Sequence, residues 1–585
     1  KPKAIKPFDK VSFIGKSKWM KLVKDFNFNL GFKQLTARTS VDRSYTERMA
    51  RLNSEIASIP PAPTYNKTFN WYSQYGFRYE ITKSLKLDFN ANNNAIIGEP
   101  PGRVNSKDKD TYEVWKDSVM QSLESWGEVT GYDHTVNLTY QLPLDKLPLT
   151  DWMTVNTSYG SGYQWDRAPF QQDTLGHTVQ NSQNLAINGQ LNFVNLYNKS
   201  KWLKKINDKG KGNKPAPNKG KGKDPKAEDK EKDEDKDKDK KPGEGFNPLE
   251  SLARIIMSVR TGNITYSQNS GTLLPGYNQT TNVMGMSPGF DAPGFGFVLG
   301  QQNHDLSGDI VRDFATDAAQ RGWLVQTQSI FNPYTTTRTE TFNARLSVEP
   351  VKSLRIELTA NRTLSENRSS FFRWNEAQQG YVNDSPREFG NFSTTIITWG
   401  TTFSKDDEDF VSPIFEQMLA NREIISARLG AEDPNSFSQS DNAYWFGYDT
   451  THQDVIIPAF LAAYTGTNAS SVELNPFKRT PLPNWDITYD GLTKIAAFKK
   501  LFRTFTVNHS YRSTFNIGTF QTNLLFVEGG TELDAGGNFI PERQISVVTI
   551  SEQMRPFINF DATLQNSLIA KFEYNRDRNM SLSMS

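Results

Sequence analysis

Long segments of strict apolar–polar alternation constrain this chain more than any other feature. In Lys83–Asn94, KSLKLDFNANNN, Leu85, Leu87, Phe89 and Ala91 alternate with Lys86, Asp88 and Asn90. Lys352–Thr363, KSLRIELTANRT, repeats the scheme with Leu354, Ile356, Leu358 and Ala360 against Arg355, Glu357 and Thr359. A period of two puts successive side chains on opposite faces of a strand, so each segment reads as a strand with one apolar and one charged face. Comparable alternation runs through Phe26–Arg38, Phe69–Ile81, His134–Leu142, Trp152–Gly162, Gln183–Asn195, Ile255–Tyr266, Thr341–Val351, Trp485–Tyr489, Phe502–Ile517, Pro556–Leu564 and Leu568–Asn575. Several of these exceed the ~5–6 residues of a usual soluble strand. They reach the ~9–11 residues that a tilted strand needs to cross a bilayer.

Composition narrows the choice. Over 585 residues only 36% are hydrophobic, while aromatics reach 12%. Few aliphatics make a thick interior hard to fill and suit a thin wall that is apolar on one side. No apolar run approaches the ~18–20 residues of a membrane helix, which excludes helical spans and leaves strand spans open. A formal charge of +2 argues against a general nucleic-acid binder. The chain has no cysteine, so disulfides and thiolate metal sites are excluded. It opens on KPKAIKPFDK with no apolar core behind it and stops inside the alternating NMSLSMS, and so reads as a piece of something longer.

Connections alternate in length. Thr82–Ser84, Pro143–Asp151, Glu349–Ser353 and Gln565–Ser567 are short; Gly98–Asp133, Ser161–Ser182 and Ser365–Asn484 are long. Outer-membrane barrels sort their loops this way, with short periplasmic turns and long outer loops. Lys204–Lys241 departs from the pattern. Almost wholly charged, it cannot bury enough surface to offset its ordering entropy and reads as a disordered tether. The expected organisation is therefore barrel strands and loops over residues 1–203, a charged low-complexity insert over 204–245, and barrel again over 246–585, with a long loop at 365–484. Within that loop, Ser412–Gly430 reads as a helix with Ser412 as cap, Pro413 in the first turn and Gly430 at the stop. Its stripe of Phe415, Met418, Ile425 and Leu429 predicts packing against neighbouring loops.

Parts for chemistry are missing. The five histidines, His134, His177, His304, His452 and His509, share no ligand spacing, so neither a metal nor another cofactor is expected. Gly15–Ser17, GKS, lacks the glycine that a phosphate loop needs five residues earlier, where Lys10 stands. Pro288–Gly300, PGFDAPGFGFVLG, lacks dinucleotide spacing; its glycines suit tight turns around aromatics. The acidic run Asp406–Asp409 lacks calcium-loop spacing and reads as solvated. No constellation supports an enzyme. Trp71, Tyr72, Tyr75, Tyr79, Trp152, Tyr159, Tyr163 and Trp165, on or near strands, suit interfacial belts.

At these residues the chain resembles the SprA/Sov family, the outer-membrane translocon of type IX secretion in Bacteroidetes. The matching stretches include LVKDFNFNLGFKQLTARTSVDRSYTERMARLN, FNWYSQYGFRYEITKSLKLDFNANNNAIIGEPPGR, LTDWMTVNTSYGSGYQWDRAP, NGQLNFVNLYNKSKWLKKIN and VKSLRIELTANRT. GTLLPGY followed by APGFGFVLGQQ, and the tail LIAKFEYNRDRNMSLSMS, are also similar to that family. The resemblance implies part of the C-terminal half of a very large single-chain β-barrel in the bacterial outer membrane, whose lumen passes folded cargo proteins to the cell surface. It further implies a PorV-like barrel partner at a side opening, a periplasmic plug protein and secreted cargo proteins as partners.

The expected fold is thus all-β: part of a very large antiparallel transmembrane β-barrel with long extracellular loops and one short loop helix. Leu85, Leu87, Phe89, Leu354, Ile356 and Leu358 are expected to face the lipid bilayer, and Lys86, Asp88, Arg355 and Glu357 a wet lumen. The alternatives are a solute receptor of the TonB-dependent type and a surface-displayed β-protein without a channel, since alternation alone marks any half-buried antiparallel sheet.

Overall fold

The alternating segments become the rungs of one sheet. A computed structural model describes residues 4–8, 18–50, 62–209, 248–305, 309–409, 411–527 and 529–584. Strands β1 (Gln34–Arg48), β2 (Thr64–Glu80), β3 (Leu85–Ile96), β4 (Glu128–Leu142), β5 (Met153–Asp166) and β6 (His177–Asn192) follow one another as antiparallel neighbours. The ladder continues through β7 (Val259–Tyr277), β8 (Tyr334–Val351), β9 (Leu354–Asn375) and β10 (Gly380–Thr395). After β11 (Asn484–Tyr489), it closes on β12 (Phe502–Thr522), β13 (Arg543–Ile545), β14 (Val547–Leu564) and β15 (Ile569–Ser583). All fifteen strands belong to a single sheet, and β1 and β15 are its two ends. Helix α1 (Lys109–Glu124) lies in the β3–β4 connection, and among the described residues no helix is long and apolar enough to cross a membrane.

Most strands outrun their expected limits because the alternation weakens, without stopping, toward the long-loop end. β9 was expected to end near Arg362 but extends to Asn375. β10 lies where one long loop over 365–484 was expected, and a tight turn joins it to β9. Its sequence, GYVNDSPREFGNFSTT, hides the period behind Pro386 and a bulge between Asp384 and Arg387. At the other end of the chain, Phe26–Lys33 precedes β1 and is not part of it. Phe32 turns onto Phe77 and Tyr79, with ring centroids 5.0 and 5.4 Å apart.

One position in the sheet is shared by two strands. β10 pairs with the long-loop halves of β9 and β12, and β11 pairs with their short-turn halves. Residues 396–483 leave the sheet between the two. Side chains complete the ladder at the break: the Asn361 amide donates to Thr395 Oγ1 at 3.1 Å and the Ser513 amide to Asn484 Oδ1 at 2.9 Å.

The excursion folds onto the sheet. Helices α4 (Pro413–Glu432) and α5 (Gln453–Thr465) bury Met418, Ile425, Val455, Phe460 and Leu461 against Phe392, Phe515, Ile517, Val548 and Ile550. Each large side chain buried there contributes about 1.5–3 kcal/mol. The expected helix is present, but its ends differ. Ser412 makes no side-chain cap bond, and the helix runs through Gly430 to Glu432. Gly430 is needed for contact instead: a Cβ there would stand 2.5 Å from the Trp445 ring.

The insert begins later than expected, since Lys204 lies inside helix α2 (Lys201–Lys209), which together with helix α3 (Pro248–Ile256) flanks it. The rest of the tether lies outside the described residues, as does Gly15–Ser17.

Gly430→Val should overpack this contact at about 1–3 kcal/mol and loosen the excursion while leaving the sheet intact. Limited proteolysis of residues 396–483 should then run on the order of tenfold faster, with Gly400→Val, which meets no atom within 4 Å, unchanged.

Candidate conduit wall

Strand register carries two faces across the sheet. One row of directly opposed residues reads Lys86, Thr139, Ser158, Ala186, Ser267, Thr341, Thr363, Ser393, Asn516, Thr549 and Ser581. The next on the same face is Asp88, Asn137, Gly160, Asn184, Asn269, Thr339, Ser365 and Asn391. These rows hold amides, hydroxyls and glycine almost throughout. On the opposite face, nearer the short turns, Met153, Leu191, Gly262, Leu346, Leu358, Trp485 and Tyr511 form one row. Val348, Ile356, Ile487 and His509 form the next.

The register places the sequence-predicted residues consistently. Leu85, Leu87 and Phe89 share one face with Leu354, Ile356 and Leu358, and Lys86 and Asp88 share the other with Arg355 and Glu357. The two KSL segments are therefore positional equivalents, six strand positions apart on the same ladder with the same faces. On the polar face Asp88 pairs with Arg78 at 2.5 Å and Glu357 with Arg345. A groove of about 570 Å³ opens on this face where β10 gives way to β11. It is lined by Asn361, Asn484, Arg345, Glu357, Asp486 and Arg512, among others. Charge of both signs and no large apolar side chain leave it wet and without a sticky patch.

Phe89 corrects the expectation of lipid contact. It is 5% exposed, packed between Phe77 and His134 in a cluster that includes Phe297 and Val298 of the β7–β8 connection. At its height the apolar face is covered by the chain's own loops. The same cover takes Tyr163 and Trp165 out of any interfacial belt: both are buried, and Trp165 Nε1 donates to the Gln279 carbonyl at 3.0 Å. The glycines of that connection do permit close approach. Gly300, at φ +88°, would set a Cβ 2.6 Å from Ser161 Cβ, and a Cβ at Gly285 would meet the Tyr163 ring at 2.5 Å.

Charges that sequence reading missed occupy the covered part of this face. Arg338 pairs with Glu340 and, at 3.0 Å, with Glu366; Arg543 reaches Glu388 at 2.7 Å, and Arg368 reaches Glu388 at 3.3 Å. Nearby, buried Glu552 accepts from Thr398 and Thr402 of the excursion and pairs with Arg578 of β15 at 3.2 Å. Buried charges of this kind persist only when paired, and each partner removed leaves an uncompensated ion. No spacing in the sequence announces these partners, because they meet through register across strands. Among the described residues no cluster of three His, Asp or Glu side chains is placed to hold a metal ion.

No protein family matches the chain, and no curated protein matches it. Among solved structures it is similar to CdiB from Acinetobacter baumannii, with a TM-score of 0.16, 6% identity, and coverage of 93% of this chain and 66% of that one. It is also similar to the copper transporter OprC, with a TM-score of 0.20, 7% identity, and coverage of 94% of this chain and 58% of that one. For the siderophore receptor PiuA from Acinetobacter baumannii the TM-score is 0.19 at 8% identity, covering 95% of this chain and 73% of that one. These are outer-membrane β-barrel proteins. At TM-scores of 0.16 to 0.20 these likenesses carry no argument about this chain.

His304, in the β7–β8 connection, generates a pH prediction. Burial first, then the Arg368 and Arg338 charges, lower its imidazole from 6.5 to about 4, and its Nε2 has no partner. The unfolded imidazole takes up a proton as pH falls below about 6.5, whereas the folded one resists until about 4. Stability from keeping it neutral is therefore complete above the upper value and lost as pH falls through this window. A dye on Val311→Cys should report easier urea opening of the connection over that range, and His304→Asn should flatten the dependence.

Proposed function

We propose that this sheet is a section of the wall of a protein-conducting outer-membrane barrel of the SprA/Sov kind. The observation that supports it best is the row from Lys86 on β3 to Ser581 on β15, polar but for Ala186, backed by apolar rows near the short turns. Among the described residues the row crosses eleven strands, and β1 does not pair with β15. A ring that includes it is wider than these strands alone, as a lumen for folded cargo requires. An amide- and hydroxyl-rich lining suits such cargo, because it offers no apolar patch on which an exposed chain would adhere.

In this reading Leu354, Ile356 and Leu358 meet lipid, and so do Leu85 and Leu87, farther along the same face. Lys86, Asp88, Arg355 and Glu357 face the wet lumen. The wall performs no bond chemistry, so the driving energy comes from outside it. A PorV-like barrel partner, a periplasmic plug protein and folded cargo are the partners that the resemblance to SprA/Sov supplies. A solute receptor of the TonB-dependent type is the competing reading. It would place a plug domain within a ring of about 22 strands, and the length of the complete protein separates the two.

Single cysteines test the faces, since the chain has none of its own. In intact outer membranes a membrane-impermeant maleimide should label Thr341→Cys several-fold faster than Leu358→Cys. Equal labelling of the two would refute the face assignment.

A further inference from the structure

The helical hairpin at the short-turn end carries an apolar stripe that the fold does not use. Helix α3, PLESLARII, has two such stripes. Ala253 and Met257, four residues apart around its end, are buried against Tyr197 and Ile206 beside helix α2. Leu252, Ile255 and Ile256, spaced as neighbours on another side of the helix, are 55%, 65% and 62% exposed. A helix in contact with one neighbour ordinarily keeps a polar outer side. Trp202 of helix α2 is also exposed, as are Lys201, Lys204 and Lys205.

The hairpin is fixed to the wall, so this stripe has a defined place. Tyr197 Oη donates to the Ile256 carbonyl at 3.1 Å. Arg260 at the start of β7 bonds Asn207 Oδ1 at 3.0 Å and pairs with Glu349 at 3.2 Å. Phe193, in the helical turn that follows β6, packs in the hairpin cluster with its ring centroid 5.2 Å from that of Trp152. The intervening tether is rich in Lys, Asp and Glu and nearly free of apolar residues. A second connection at the same end has the same make-up: Ile495 and Leu501 are exposed beside Lys499 and Lys500.

Exposed aliphatics, an exposed indole and lysines together are the chemistry of an interfacial helix on an anionic leaflet. We propose that helices α2 and α3 form an interfacial anchor, with Leu252, Ile255, Ile256 and Trp202 seated among the acyl chains of anionic phospholipid at the short-turn surface and Lys201, Lys204 and Lys205 at its phosphates. The anchor rests on the reading of the sheet as a membrane wall. It fixes the height of the wall in the bilayer.

The test uses the full chain in nanodiscs containing nitroxide-labelled lipid, with an environment-sensitive dye on Ile256→Cys or Leu358→Cys. Both dyes should be quenched. Replacing phosphatidylglycerol by phosphatidylcholine, or changing Lys201, Lys204 and Lys205 to Gln, should lower quenching at position 256 and leave position 358 unchanged. A dye at 256 that stays unquenched while the one at 358 is quenched overturns the anchor and leaves the wall reading standing. That includes the case in which position 256 is shielded from water by protein, meaning that a partner or a second copy covers the stripe. Loss of quenching at 358 as well would sink the wall reading itself. Quenching at 256 that ignores the anionic lipid overturns the role given to the lysines.

Discussion

Interstrand backbone hydrogen bonding governs everything else in this molecule. Strands of this length expose a donor and an acceptor at every residue, and only a neighbouring strand in register satisfies them. Register then decides chemistry, because a slip of one residue would turn every side chain to the other face. The bulges in the β9–β10, β10–β12 and β12–β14 pairings take up irregularity locally, and the row from Lys86 to Ser581 emerges with its parity intact. Leu354 and Leu85 share a face because six pairings between them kept count.

The same wall changes character along its height. Near the short turns its apolar rows carry no Asp, Glu, Lys or Arg, and only their Trp485, Tyr511 and His509 end meets the excursion, through Trp399. Toward the long loops, the β7–β8 connection and the 396–483 excursion settle on that face, and the chain admits Arg338, Glu340, Glu366 and Glu552 beneath them. Charges become tolerable once protein supplies their partners, and packed aromatics such as Phe297 on Phe314 exclude water around them.

Much of this was legible in the residues. The strands, the shared face of the two KSL segments and the helix after Pro413 follow from period and local propensity. The limits of that reading are also physical. Alternation tells which residues share a face but not what covers it, so Phe89 and Tyr163 read as surface residues although loops distant in sequence bury them. β10 was hidden because Pro386, its bulge and Gly390 break the period where Phe520 presses on the strand. The Arg–Glu pairs were hidden because their members are adjacent only through the sheet.

The divided strand has a consequence for how the molecule tolerates change. β10 and β11 occupy one lane yet are held there separately, each clasped by β9 on one side and β12 on the other. The 396–483 segment that joins them in sequence sets the alignment of neither. Evolution can therefore lengthen or shorten that segment without shifting the shear of the wall, provided the helices that cover Phe392 and Phe515 and the threonines that meet Glu552 are kept.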